Sequence, residues 1–193
     1  GEAGLEEVAD PSGIFLVRRS GEGAKAPEMP AGAAVAPVHE GSRILLVEIQ
    51  ALTVPAKAGL TRVYSERIDS ARVSRVAAVL EKHAGTRFSD QDIYVNVAGG
   101  MRLTEPGIDL ALACALYSAR SSLALPPGAA LAGELSLAGE VRPVRHMRRR
   151  AKAAQGLGFA RVLGPAEEPN GEWTSVTDLK GALRELFGKA AGG

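Results

Sequence analysis

The densest chemistry in this 193-residue sequence is cationic. From Arg142 to Lys152, six positive charges fall in eleven residues without one acid: Arg142, Arg145, Arg148, Arg149, Arg150 and Lys152. On a helical wheel Arg145, Arg148, Arg149 and Lys152 share one arc, and Met147, Ala151, Ala154 and Leu157 take the opposite one. An arginine-faced amphipathic helix suits two tasks. It can neutralise nucleic-acid phosphates, with an affinity that falls as salt rises, or it can pair with acidic side chains of a neighbouring subunit. A solvated face is the bland alternative, and six cations with no compensating acid argue against it. Arg72 is a second irregularity, because it lies inside the apolar arc of the helical segment 68–83. Snorkelling at the core edge and a positioned contact at an interface or DNA groove account for it equally well. Arg67, Arg75 and Lys82 extend the same basic surface.

Other chemistries are poorly supported. Despite 23 glycines there is no Gly-x4-Gly-Lys-[Ser/Thr] and no Gly-x-Gly-x-x-Gly between a strand and a helix, so this chain is not expected to bind ATP. His39, His83 and His146 are far apart, with no ligand spacing between them or to a carboxylate, so no metal site is expected. The single cysteine, Cys114, sits in an apolar stretch and reads as a buried structural thiol, which excludes a disulfide framework within the chain. Thr104-Glu105-Pro106-Gly107-Ile108-Asp109 carries the proline and acids of a helix start. A nucleophile could be held at such a junction, but Gly107 has no side chain, and the nearest hydroxyls are Thr104, Ser118, Ser121 and Ser122.

The elements that would position these groups follow from periodicity. The length suits one domain with an appended arm. The Gly- and Pro-rich residues 1–33 read as that arm, 34–188 as the folded body and 189–193 as a tail. Residues 35–38 and 44–49 form a hairpin around Glu40-Gly41-Ser42. Residues 54–66, with Pro55 and Gly59, read as a long loop. Helices are expected at 68–83, ended by Gly85, at 109–121, at 144–156 and at 178–187. The second of these is apolar all round and so belongs in the middle of the fold. Strands are expected at 93–97, 131–137 and 161–163. The result is an α/β (α+β) domain with a mixed sheet and interleaved helices. No apolar run approaches the roughly 18 residues of a membrane span. The 46% hydrophobic share excludes wholesale disorder, and the lone cysteine fits a reducing cytoplasm. The lead Gly-Glu-Ala-Gly, without an initiator Met, suggests a domain excised from something longer. The near balance of 23 cations and 22 anions reads as a sum over segregated faces, since acids gather in the leader and at Glu167, Glu168, Glu172 and Asp178.

Several ordered segments carry a family resemblance. Gly99-Gly100-Met101 through Asp109 and Gly133-Glu134-Leu135-Ser136-Leu137-Ala138-Gly139-Glu140-Val141-Arg142-Pro143-Val144 are similar to the processing domain of the Lon protease, whose fold resembles ribosomal protein S5 domain 2. With the segments 46–52 and 90–100 and the leader 4–12, the closer resemblance is to the Lon-like C-terminal domain of the bacterial RadA/Sms family of DNA-repair proteins. The resemblance places the Lon nucleophile on Gly107 and its activating lysine on Arg148. A glycine cannot attack a carbonyl, and an arginine cannot serve as a base. It therefore implies a peptidase-inactive domain acting as a ring-forming, DNA-contacting scaffold in a hexameric ATPase that performs branch migration. It further implies DNA, single-stranded or branched, a second copy of the chain and the recombinase RecA as partners; the cations read above, Arg142, Arg145, Arg148, Arg149, Arg150, Lys152, Arg67, Arg72 and Arg75, are then the expected DNA contacts. ATP, Mg and Zn would belong to upstream domains. The alternatives are a pure oligomerisation scaffold with arginines in subunit interfaces and, last, a residual serine peptidase using Ser118 or Thr104.

Overall fold

The computed structural model describes residues 26–57, 59–169 and 171–188; the leader segments and the tail 189–193 lie outside them. The chain opens with the hairpin β1 (Ala33–Glu40) and β2 (Arg43–Pro55), paired antiparallel from Ala33↔Gln50 to Glu40↔Arg43. Gly41 takes φ 61° in its two-residue turn, a left-handed value that glycine adopts without strain. The far end of β2 pairs antiparallel with β4 (Gln91–Val97). A short edge strand, β3 (Arg62–Ser65), adds parallel to β4, giving the order β1-β2-β4-β3. Residues 54–66 are therefore not one long loop: β2 runs on to Pro55, because alternation continues through Leu52 and Val54, and β3 occupies the second half.

Helix α1 (Ser70–Ala84) starts at Asp69, whose carboxylate accepts from Ala71 N–H, and ends at Gly85 with φ 72°. The second helix, α2 (Asp109–Ser121), is buried from Asp109 through Ser118 and packs against β1, β2 and α1. Its all-round apolar surface thus has its physical cause in a sheet on one side and a helix on another. Cys114 sits on it fully buried, and burial pushes its thiol up to about 12. Native protein is expected to leave this thiol unmodified by iodoacetamide at neutral pH, with stoichiometric labelling after denaturation; fast labelling of folded protein would show α2 to be exposed.

The second half holds a parallel sheet, β5 (Ala129–Leu131), β8 (Arg161–Pro165) and β9 (Thr174–Val176), in the order β5-β8-β9. A two-stranded ladder, β6 (Glu134–Leu135) with β7 (Val141–Arg142), lies beside it. The expected strand 131–137 is split at Gly133. Its N–H donates to Gly107 O at 3.0 Å, and its carbonyl accepts from Leu110 N–H at 2.9 Å, so the chain leaves the sheet to meet the start of α2. A Cβ at Gly133 would stand 2.7 Å from Val141 Cγ1, which keeps that crossing to glycine. Helix α3 (Met147–Gly156) begins three residues later than its periodicity suggests, because His146 is left-handed at φ 59°. It packs on β1, β2 and β8. The last helix, α4 (Leu179–Phe187), is capped by Asp178, whose carboxylate accepts from Gly181 N–H at 2.7 Å. The whole is the mixed α/β arrangement expected. No helix among the described residues is long and apolar enough to cross a membrane.

Candidate functional site

Helix α3 is where the arginine run becomes geometry, and the fold divides its cations into two populations. Arg145, Arg149 and Lys152 are exposed and have no acidic partner among the described residues. Arg149 reaches across to Ser42 O in the β1–β2 turn at 2.7 Å, which fixes one guanidinium at the surface. Arg142, on β7, is exposed and only loosely near Glu140 at 3.6 Å. Arg148 is half-exposed and already paired: Nη1 lies 2.7 Å from Glu172 Oε2, and Nη2 donates to Pro169 O.

Arg150 belongs to the interior and is not a surface contact. Its side chain is 4% exposed, and Nη1 meets both Glu105 Oε2 at 2.8 Å and Pro37 O at 2.9 Å, while Nε donates to Arg145 O at 2.7 Å. Glu105 in turn accepts from His39 N–H at 2.9 Å. One buried guanidinium thus ties β1, the lead into α2 and the lead into α3 together. A position at i+3 to Met147 on the apolar side of α3 was the available signal, obscured by three consecutive arginines.

These groups border a cleft of about 440 Å³ that includes His39, Glu105, Gly107, Glu134, Arg145 and His146. A Cβ on Gly107 would lie 2.7 Å from Glu105 Oε2, 3.2 Å from Val144 Cγ1 and 3.6 Å from Arg150 Nη1. The residue facing Gly107 is therefore Arg150, whereas the sequence resemblance assigns that position to Arg148; Arg148 points to Glu172 instead. The space a nucleophile's side chain would need holds an ion pair. The hydroxyl of Ser118 is fully buried, accepts from Gly32 N–H and donates to Leu123 O. Thr104 is exposed.

The rings of His39 and His146 stack at 4.6 Å across the cleft mouth, although the sequence separates them widely. Desolvation, then the charges of His39, Arg149, Arg145 and Arg150, pull the His146 pKa below its usual value. A histidine with a depressed pKa resists protonation in the fold, so it costs stability as pH falls below the unfolded imidazole range and nothing above it. Among the described residues no group of three or more His, Cys, Asp or Glu could hold a metal ion.

Arg72 is likewise internal. Its Nη1 lies 2.6 Å from Asp109 Oδ1, with side chains 17% and 2% exposed, and Asp109 Oδ2 accepts from Leu135 N–H at 3.0 Å. The anomaly on the α1 wheel has a partner inside the fold: a largely buried ion pair with Asp109. Arg67 and Arg75 are exposed, on a loop and on α1 respectively.

This chain belongs to the family described as ChlI, subunit ChlI of Mg-chelatase, which it matches over residues 60–168. Over nearly its whole length it is similar to proteins named DNA repair protein RadA. It is 53% identical to that of Treponema pallidum (strain Nichols), covering 98% of this chain and 42% of the relative. It is 45% identical to that of Brucella abortus (strain 2308), covering 95% and 37%, and 43% identical to that of Bacillus subtilis (strain 168), covering 97% and 41%. The resemblance to RadA/Sms holds, and the chain spans about two fifths of the length of these relatives.

Proposed function

We propose that this chain is a Lon-like, peptidase-inactive domain of a bacterial DNA-repair protein, supplying a basic DNA-binding surface and a scaffold for ring assembly. The observation that carries the reading is the outer face of α3 and the segment leading into it, where Arg145, Arg149 and Lys152 stand exposed without an acidic partner among the described residues and Arg142 lies loosely by Glu140. Three cations so close in the chain and without an acidic partner are suited to neutralising backbone phosphates. The RadA relatives supply the repair context, and the filled space at Gly107 supports the loss of peptidase chemistry. In the parent protein, ATP hydrolysis and zinc binding fall to other domains. There the domain would sit in a cytoplasmic hexamer that drives branch migration alongside RecA.

Titration of the chain against double- and single-stranded DNA at several salt concentrations tests the surface. Replacing Arg145, Arg149 and Lys152 with Ala is expected to weaken both DNAs and to flatten the log–log salt slope by about 2–3, near 0.9 per lost phosphate contact. Arg148→Ala should matter less, because Glu172 already neutralises it. An affinity indifferent to salt, or unchanged in the triple variant, would sink the DNA surface. Loss of assembly by the triple variant with DNA affinity intact would instead make these arginines subunit contacts.

A further inference from the structure

Aromatic residues are scarce here, 4% of the chain, and most of the described ones are buried. Tyr64 and Tyr94 are the exposed ones, each at 42%. They are not scattered. Tyr64 on β3 is the register partner of Tyr94 on β4, which is in turn the partner of Leu52 on β2, itself 57% exposed. The three side chains therefore form one row across the outer face of the first sheet, and the tyrosine rings stack at 4.6 Å with only 14° between their planes.

Beside this row lies an open groove of about 520 Å³ that includes Tyr64, Arg67, Asn96 and Gly100. Gly100, at φ 82°, leaves the Arg67 guanidinium uncovered; a Cβ there would approach it to 3.8 Å. Asn96 uses its amide N–H toward Gln50 Oε1 at 3.1 Å, which leaves its carbonyl oxygen at the surface as an acceptor. Arg62 lies two positions before Tyr64 on β3, and so on the same face of the strand. Arg102 is exposed one position before Leu103, whose N–H donates to Arg67 O at 2.8 Å. Among the groove's lining residues Arg67 is a cation and Glu66 an acid; Arg62 lies in register with Asp92, and Arg102 adds a further cation beside them.

We propose that this row is a stacking platform for single-stranded nucleic acid: a base extends the Tyr64–Tyr94 stack, Asn96 meets a base edge and Arg67 holds the adjoining phosphate. Parallel, part-exposed rings next to a cation and an amide acceptor fit an unpaired nucleobase. A duplex keeps its base faces covered and cannot use them. The proposal extends the DNA-binding reading but uses another surface, since α3 lies by the β1–β2 turn and the tyrosines lie toward the opposite end of β2. Because stacking is not ionic, it also predicts single-strand binding that outlasts salt.

The test is fluorescence anisotropy of labelled oligothymidylate and of a duplex, at low and high salt, with this chain, its Tyr64→Ala/Tyr94→Ala and Tyr64→Phe/Tyr94→Phe forms, and the α3 triple variant. The Ala form is expected to lose about 10-fold or more for the single strand with duplex affinity unchanged, and the Phe form to retain binding, since it keeps both ring faces. The α3 variant should keep a salt-resistant single-strand component. That outcome with no arginine effect would overturn the α3 surface and leave the platform standing. No single-strand binding by the parent chain, an equal loss for duplex, or an Ala form that folds normally by circular dichroism and binds unchanged would overturn the platform. So would a change in self-association alone, which would make the row an interface between copies. If the Ala form fails to fold, the Phe form decides: its failure to bind the single strand would likewise overturn the platform.

Discussion

Asp109→Ala is expected to destabilise the domain by about 3–5 kcal/mol, the usual consequence of breaking a buried ion pair by removing one partner. Two losses combine. The Arg72 guanidinium, 2.6 Å from Oδ1, is left largely buried without its counter-charge, and Leu135 N–H loses its acceptor, Oδ2 at 3.0 Å. Asp109 thereby joins α1, the first turn of α2 and β6, so the damage falls where three elements meet. Native domains hold only about 5–15 kcal/mol in total, so the urea midpoint should fall steeply. Asp109→Asn should fall less, because the amide oxygen still accepts from Leu135. Arg72→Ala should destabilise in the same way and leave the DNA affinity of the folded protein unchanged. A double-mutant cycle should then show strong coupling between the two positions. If Arg72→Ala weakened DNA binding at unchanged stability, Arg72 would be a DNA contact and the ion pair incidental.

Arg150 carries the second large effect. Arg150→Ala removes two hydrogen bonds and the ion pair with Glu105, for an expected loss of about 3 kcal/mol. Arg150→Lys should rescue little, since a single ammonium cannot reproduce the guanidinium's fork toward Pro37 O, Glu105 and Arg145 O together. The same pair governs any attempt to restore a nucleophile. Gly107→Ser drives its Cβ to 2.7 Å from Glu105 Oε2, and that carboxylate is held by Arg150 and His39 N–H, so it cannot swing aside without breaking the pair. Gly107→Ser, alone or with Arg150→Lys, is therefore expected to be less stable and to leave unfolded casein intact over prolonged incubation. Cleavage by the double variant, abolished by returning residue 107 to Gly, would show that the cleft keeps a working peptidase geometry.

Much of the architecture is legible in the sequence. Gly85 ends α1, Asp178 caps α4, and the all-round apolar run 109–121 is the buried helix it suggests, because each of these signals is local: a left-handed glycine, a cap, a periodicity. Where the sequence misleads, the cause is physical too. The segment 131–137 breaks at Gly133 because its backbone partners, Gly107 and Leu110, lie over twenty residues away. Edge strand β3 and strand β9 are too short for alternation to declare them.

The candidate site divides along the same line. The mixed α/β class, the amphipathic α3 and the cations gathered on and just before it follow from contiguous residues, through composition and local periodicity. The packing of distant segments assigns each cation its place. It folds Glu172 from the late acidic stretch back onto Arg148, draws Arg150 inward to Glu105 and Arg72 inward to Asp109, and leaves Arg145, Arg149 and Lys152 outside. It also sets Tyr64 against Tyr94 through strand register, thirty positions apart in the chain. A charge's role depends on its burial and on the partner across from it. Both are long-range quantities, fixed only when distant segments pack.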